Sequence, residues 1–168
     1  TRVFTQLAMA EYATHQAARR AAVRPPVCAG VPDTNVRDPG AGGTAARFGT
    51  LCSAGGQCAT PAAAICNGVA GNPVVDEIFQ IIDPLLPPAA TPANLEFRYE
   101  PSGLGFLGGP YVPVVSVSLR DAQHDFFIPL GAMFAPWGGG DGGGNASLAL
   151  PPFTATMPGE DLNLGTGG

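Results

Sequence analysis

The chain contains no lysine, and all eight of its basic residues are arginines. They are outnumbered by 13 acidic residues, which gives the 168-residue chain a formal net charge of −5 at pH 7. A protein that binds nucleic acid needs a basic face to neutralise phosphates, and here only Arg19, Arg20 and Arg24 lie close together. The charge balance therefore argues against a nucleic-acid partner.

The sequence also lacks a long hydrophobic run and a recognisable signal peptide. The longest uncharged segment of its C-terminal half, residues 126–140, is interrupted by Pro129 and Pro136. A membrane-spanning helix needs roughly 20 consecutive apolar residues. We therefore expect none of these residues to cross a membrane.

Motifs for catalysis and cofactor binding are missing as well. Residues 103–108 match Gly-x-Gly-x-x-Gly, but Pro110 and a strand pattern follow instead of the helix whose N-terminus would bind a pyrophosphate. We interpret this segment as a hairpin loop. His124 stands beside Asp125 without a Gly-x-Ser-x-Gly nucleophile motif, which favours a polar turn. We expect a protein that is not an enzyme and has no cofactor.

Metal-binding patterns are also lacking. Neither histidine lies near the cysteines, and we interpret His15 as a surface residue of a helix. The acidic pairs at residues 76–77 and 160–161 do not belong to a calcium-loop pattern. We interpret the glycosylation sequon at residues 145–147 as a chance match. No metal site is expected.

Glycine and proline are abundant, with 24 and 18 residues, a quarter of the chain together. Such a share approaches that of low-complexity sequences. The hydrophobic share of 45%, however, is large enough to form a core. We interpret residues 1–157 as a single folded domain and residues 158–168 as a flexible tail. Together with the absence of lysine, this composition is typical of a protein encoded by a GC-rich bacterial genome.

Four cysteines lie within one glycine- and alanine-rich stretch, at Cys28, Cys52, Cys58 and Cys66. An even number without Cys-x-x-Cys spacing indicates two disulfides and an oxidising compartment. Four cysteines allow three connectivities. We favour the nested one, in which Cys52 pairs with Cys58 and Cys28 pairs with Cys66.

Two long helices are predicted. Residues 3–23 contain no glycine or proline, and two prolines at residues 25–26 end this segment. The second helix begins at Asn72, with acidic residues in its first turn, and ends at the prolines of residues 84–88. Its apolar stripe predicts a core-facing helix. Between them, residues 61–65 are predicted to form a short helix with Thr60 as N-cap.

From residue 94 the apolar pattern changes to a period of two. Residues 95–99 and 115–119 are predicted strands, followed by a turn at 121–124. The remaining predicted strands cover residues 126–130, 147–150 and 153–156. This order predicts an α+β fold, with an N-terminal helix and a second helix packed on an antiparallel sheet of three or more strands, and a disulfide-stapled loop between the helices.

Several of these features together resemble the TadE-like family, the minor pseudopilins of the bacterial tight-adherence (Tad, type IVc) pilus system. The resemblance is carried by the helix ending QAARRAAV at residues 16–23 and by the alternating strands at 95–99 and 114–119. The segment TATMPGE at residues 154–160 is similar to the family's typical ending. The cysteine-bearing insertion is longer than the family pattern, so the resemblance implies nothing about its role.

The resemblance implies a non-enzymatic minor pilin that acts in the assembly, initiation or tip of an adhesive type IV-like pilus. Its partners would be other pilin and minor pilin subunits and the pilus assembly machinery. A hydrophobic helix expected upstream of Thr1 would anchor it in the inner membrane, with the head in the periplasm before assembly, or in a pilus on the cell surface.

The resemblance also implies roles for parts of the head. Phe4, Leu7, Ala8 and Tyr12 would lie on the helix face that covers the sheet, and the other face would contact neighbouring subunits. The loops at residues 101–110 and 138–146 would be candidates for partner recognition.

Two alternatives remain open. A secreted ligand- or carbohydrate-binding module is suggested by the low charge and by aromatic residues beside loops, namely Phe106, Tyr111, Phe134 and Trp137. A small periplasmic hydrolase would rest only on the His124 and Asp125 pair.

Overall fold

The computed structural model of the chain describes residues 2–42, 46–54, 57–126 and 146–159. In this part the chain forms two α-helices, α1 (Arg2–Ala21) and α2 (Pro73–Ile82). The strands are β1 (Ala64–Asn67), β2 (Leu95–Leu104), β3 (Val112–Leu119), β4 (Gln123–Phe126), β5 (Ala146–Ala149) and β6 (Phe153–Pro158). Four of them form an antiparallel sheet in the order β1-β2-β3-β6, and β4 pairs with β5 as a separate two-stranded sheet. The predicted α+β fold is thereby confirmed.

The centre of the sheet is the hairpin of β2 and β3. Its register places Phe97 opposite Val117 and Tyr99 opposite Val115, and all four residues are buried. The predicted alternation is confirmed on both strands, although β2 continues beyond residue 99 to Leu104. One face of the sheet therefore supplies the large side chains of the core.

The opposite face of the sheet is polar. Ser116 of β3 shares a hydrogen bond of 3.0 Å with Thr156 of β6, and Ser118 shares one of 2.9 Å with Thr154. These cross-strand hydroxyl pairs reinforce the β3–β6 register. The two faces together follow the period of two that the sequence displays.

α1 packs on the apolar face of the sheet through small side chains. Its buried residues are Ala10, Ala13, Thr14, Ala17, Ala18 and Ala21. Alanine extends little from a helix, so the helix lies close to the strands it covers, β3 and β6. The sheet, rather than the helix, supplies the bulk of this contact.

The predicted contact face of α1 is wrong. We expected Phe4, Leu7, Ala8 and Tyr12 to cover the sheet, but Phe4 is 77% exposed and Tyr12 is 56% exposed. Ala8 is exposed as well, and Leu7 packs only partly buried against the core. Because the sheet side chains fill much of the space between the layers, the helix packs through its small residues, the alanines and Thr14.

α2 forms as predicted and completes the helical layer. The side chain of Asn72 caps it by accepting hydrogen bonds from the backbone N–H groups of Val74 at 3.0 Å and Val75 at 3.3 Å. Its inward side buries Val75, Ile78 and Ile82. A single 3₁₀ turn, Asp83–Leu85, follows it, since the proline at residue 84 has no N–H to continue the helix.

The predicted short helix at residues 61–65 is wrong. Ala64–Asn67 forms β1, which pairs antiparallel with β2 at the edge of the sheet. A helix of one turn gains little by itself, whereas this strand gains ladder hydrogen bonds and places Cys66 beside Cys28. The neighbouring strand and the disulfide therefore decide the conformation.

The predicted turn at residues 121–124 is shorter than expected, because β4 already begins at Gln123. Asp121 adopts a positive φ of 54°, which a short polar residue tolerates in a tight turn. Phe126 is the last residue of β4, and the rest of the predicted strand at 126–130 lies outside the described residues.

The last two predicted strands are confirmed. Ala146–Ala149 forms β5, and Phe153–Pro158 forms β6. β6 pairs with β3 along its whole length, up to Pro158 opposite Val114. Most of the predicted tail, residues 160–168, lies outside the described part of the chain.

Candidate functional surfaces

Two disulfides join the four cysteines in the nested connectivity that the sequence analysis favours. Cys28 is bonded to Cys66 across 38 positions, and Cys52 is bonded to Cys58 across six. Disulfides of this kind persist in secreted and periplasmic proteins. The two bonds therefore indicate an extracellular or periplasmic location. Among the described residues, no helix has the length and apolar character needed to span a membrane.

The Cys52–Cys58 disulfide, which has the smaller sequence separation, lies in a region that we call the stapled lobe. The lobe consists of the described residues of 33–60 together with the hairpin tip 101–111. Its loops attach to the tip through backbone hydrogen bonds. The N–H of Cys52 donates to the carbonyl of Gly105 at 3.0 Å, and the N–H of Leu107 donates to the carbonyl of Thr50 at 2.9 Å. The tip is thus enclosed by the loops rather than exposed as a free hairpin.

Glycines allow this close attachment. Gly105 has a φ of 95°, and a side chain there would meet the amide nitrogen of Asn35 at 2.6 Å. Gly108 has a φ of 81°, and a side chain there would meet the ring of Phe48 at 2.5 Å. The Gly-x-Gly-x-x-Gly motif is therefore part of a hairpin, as predicted, and its glycines serve turn geometry and packing.

A cavity of about 220 Å³ lies within the stapled lobe, against the Cys52–Cys58 disulfide. Tyr111 lines it and is only 9% exposed. The Tyr111 hydroxyl is not among the buried side-chain atoms of the described residues that lack a hydrogen-bond partner, so it is accessible from the cavity. Burial raises the pKa of Tyr111 above its usual value near 10, so the phenol is neutral at physiological pH.

The outward face of α1 is defined by four exposed apolar or aromatic residues, Phe4, Ala8, Met9 and Tyr12. His15 follows it on the exposed side, as predicted for a surface histidine. Exposed aromatic residues grouped on one helix face are typical of a contact surface.

The predicted arginine cluster lies at the end of α1. Arg20 and Arg24 both bind Glu77 of α2, at 3.2 Å and 2.8 Å from its Oε1 atom. These pairs are partly exposed and contribute at most about 1 kcal/mol each. Arg19 is exposed and makes no ion pair with a described residue; it borders a groove that Met157 also lines. Of the two acidic residues, Asp76 thus lies in the first turn of α2, and Glu77 forms the ion pairs with the two arginines.

The remaining predicted site residues are not brought together. His124 and Asp125 lie in β4, and their side chains fall outside the described part. Phe106 is half-exposed on the stapled lobe, whereas Tyr111 is buried. The other positions singled out in the sequence, Phe134, Trp137, the loop from 138 to 145 and the acidic pair at 160–161, lie outside the described residues. Across the residues described, no group of three histidine, cysteine or acidic side chains could hold a metal ion.

Comparison of the chain with protein-family models, with curated proteins and with solved structures finds no match. Function must therefore be argued from the surfaces themselves.

Two features of these surfaces escaped sequence reasoning. The first is the alanine face of α1, whose spacing at Ala10, Ala13 and Ala17 is visible in the sequence but lies beside a more hydrophobic stripe. The second is the cavity at Tyr111. Its walls come from the loop that contains Asn35 and Cys52 and from the hairpin tip, and no local pattern predicts that these distant segments meet.

Proposed function

We propose that this chain is the head of a non-enzymatic minor pilin, a TadE-like pseudopilin of a bacterial tight-adherence pilus. The observation that carries the proposal is the division of α1 into two faces. Its alanine face packs on the sheet, while Phe4, Met9 and Tyr12 point away from it. A helix with a second, exposed apolar face suits a subunit that packs against neighbouring helices.

The partners in this proposal are other pilin and minor pilin subunits and the assembly machinery. A neighbouring helix would cover the outward face of α1, since burial of exposed aromatic residues is the main source of affinity at such contacts. The two disulfides support a head that matures in the periplasm, before assembly or display on the cell surface. Anchoring in the inner membrane would require an apolar segment encoded before Thr1.

The proposal is tested in the source bacterium with its own gene. Phe4→Ser and Tyr12→Ser should lower the amount of this protein in sheared pili by about tenfold or more, because they remove apolar contact area from the outward face. Phe48→Ser is the matched control, since Phe48 is an exposed phenylalanine on the stapled lobe. It should leave incorporation into pili unchanged.

Two results would contradict the proposal. One is a wild-type protein found only in the cytosol with reduced thiols. The other is a full-length gene without roughly 20 apolar residues upstream of Thr1. Equal incorporation of the Tyr12→Ser and wild-type proteins would mean that the outward face of α1 does not contact neighbouring subunits.

A further inference from the structure

The cavity in the stapled lobe is bounded by rigid groups. Asn35 donates from its side-chain amide to the carbonyl of Pro110 at 3.0 Å. The Ser102 hydroxyl donates to the carbonyl of Val112 and accepts from the N–H of Leu104. The two cysteines of the Cys52–Cys58 disulfide also line the cavity. A ligand would therefore meet a cavity that is already formed, which lowers the entropy cost of binding.

Tyr111 differs from the other buried tyrosine of the chain. Tyr99 is 2% exposed, and its hydroxyl accepts a hydrogen bond from the N–H of Val27 at 3.1 Å. A buried tyrosine hydroxyl normally has such a partner. The Tyr111 hydroxyl has no such backbone partner, and it is not one of the buried unpartnered side-chain atoms of the described residues, which are Gln6 Oε1 and Arg24 Nε, so it is accessible from the cavity. It is a neutral donor and acceptor beside an open volume.

The walls define the chemistry of an occupant. Hydroxyl and amide groups come from Thr60, Ser102, Asn35 and Tyr111, and an apolar surface comes from Leu104. None of the described residues that line the cavity carries a formal charge. A charged ligand would lose its hydration there without a counter-charge, which is unfavourable. A neutral ligand with several hydroxyls and an apolar ring face matches these walls.

The volume limits the size of the ligand. Pockets for drug-sized molecules measure about 300–1,000 Å³, and this cavity measures about 220 Å³. We propose that the cavity binds one neutral, hydroxyl-bearing ring, such as a single monosaccharide unit, with Tyr111 as the hydrogen-bonding residue at its wall. This proposal rests on the stapled lobe and is independent of the pilin proposal, which rests on α1.

The test is a titration of the ¹⁵N-labelled whole chain with glucose, galactose, mannose and N-acetylglucosamine, followed by amide NMR shifts. At least one of these sugars should shift amides of the stapled lobe, such as those of Cys52 and Ala59, and leave the sheet unchanged. Tyr111→Phe removes only the hydroxyl and should weaken binding by roughly tenfold. Tyr12→Phe is the matched control, because it makes the same change at an exposed tyrosine of α1.

A second variant guards against an indirect effect. Ala59 lines the cavity, and Ala59→Leu should fill it and abolish the shifts. In the absence of sugar, the amide spectra of both variants should retain the wild-type dispersion, which would show that they fold. The proposal is overturned if none of the four sugars shifts the lobe. It is also overturned if Tyr111→Phe binds as tightly as the wild type, or if Ala59→Leu still binds. Failure of this kind would leave pilus incorporation through α1 unaffected.

Discussion

The molecule has two regions that are stabilised in different ways. One is the body, which α1, α2 and the four-stranded sheet form, and the other is the stapled lobe. The body has one continuous core of alanines from α1 and large side chains from the sheet. The buried cluster described in the lobe contains only Cys52, Cys58 and Leu107. A region with so few buried apolar contacts depends on covalent and backbone bonds for its order. The body is therefore expected to unfold as one cooperative unit, and the lobe as a local one.

The two buried tyrosines express the same difference. Tyr99 lies in the body, where its hydroxyl has a backbone partner. Tyr111 lies in the lobe beside a cavity. A well-packed core leaves few voids, whereas the loops that are stapled around the hairpin tip enclose a cavity that Tyr111 lines. Sites that bind ligands commonly use such loops on a rigid scaffold.

The body and the stapled lobe should differ most in their response to truncation of one large side chain in each region. Phe97→Ala should lower the free energy of unfolding by about 3–5 kcal/mol, because it opens a cavity in the centre of the body. Leu107→Ala, the matched truncation in the lobe, should leave the urea midpoint of the body nearly unchanged and instead speed amide hydrogen exchange around Cys52 and Leu107. If Leu107→Ala destabilises the whole chain as much as Phe97→Ala does, the two regions form one unit.

Removing each disulfide gives the next largest effect. The chain-entropy relation predicts that Cys28→Ala with Cys66→Ala lowers the free energy of unfolding by about 4 kcal/mol, because this disulfide closes a loop with a sequence separation of 38. The same relation predicts about 2 kcal/mol for Cys52→Ala with Cys58→Ala, whose closure is six residues. Urea denaturation followed by circular dichroism measures the first loss, and hydrogen exchange in the lobe measures the second. If the two double variants lost the same free energy of global unfolding, the body and the stapled lobe would not be separate units.

The body could largely be predicted from the sequence, because its signals are local and agree with one another. Asn72 and Pro73 mark the start of α2, and the period of two marks β2 and β3 before any contact is known. The rotation of α1 could not be predicted in the same way. Phe4 and Tyr12 make the more hydrophobic stripe, but the helix turns its small residues, the alanines and Thr14, toward β3 and β6. That choice depends on strands that follow much later in the sequence.

The lobe was less predictable, since its order comes from contacts between distant segments. Next to the lobe, at the edge of the sheet, residues 61–65 carry helix signals that β2 and Cys28 override. The disulfide pairing could be chosen from spacing, and the turn role of the glycines at 103–108 from the strand that follows. The sequence marks Tyr111 only as an aromatic residue beside a loop, and Asn35 has no local signal, because the cavity that both line forms only when the loop closes on the hairpin tip.

A smaller effect is expected from overpacking the alanine face of α1. Ala17→Leu inserts three carbon atoms between the helix and the sheet and should lower the free energy of unfolding by about 1–3 kcal/mol. Ala8→Leu makes the same change on the exposed side and should alter stability by less than about 0.5 kcal/mol. Urea midpoints of the two variants measure both values. A destabilised Ala8→Leu with an unaffected Ala17→Leu would mean that the originally predicted face covers the sheet.

The smallest effect is expected at alkaline pH, where the two tyrosine environments differ most clearly. Burial raises the pKa of both Tyr99 and Tyr111, and the hydrogen bond from Val27 partly opposes this for Tyr99. Above pH about 10 the unfolded chain therefore releases these protons before the folded chain does. The folded chain then binds more protons, so its stability falls as pH rises through this range and is unaffected below it. Tyr99→Phe and Tyr111→Phe should each reduce the fall in urea midpoint between about pH 9 and about pH 11. If Tyr111→Phe left the slope unchanged while Tyr99→Phe reduced it, Tyr111 would be solvated in the lobe rather than enclosed, and the contrast between lobe and body would rest on packing alone.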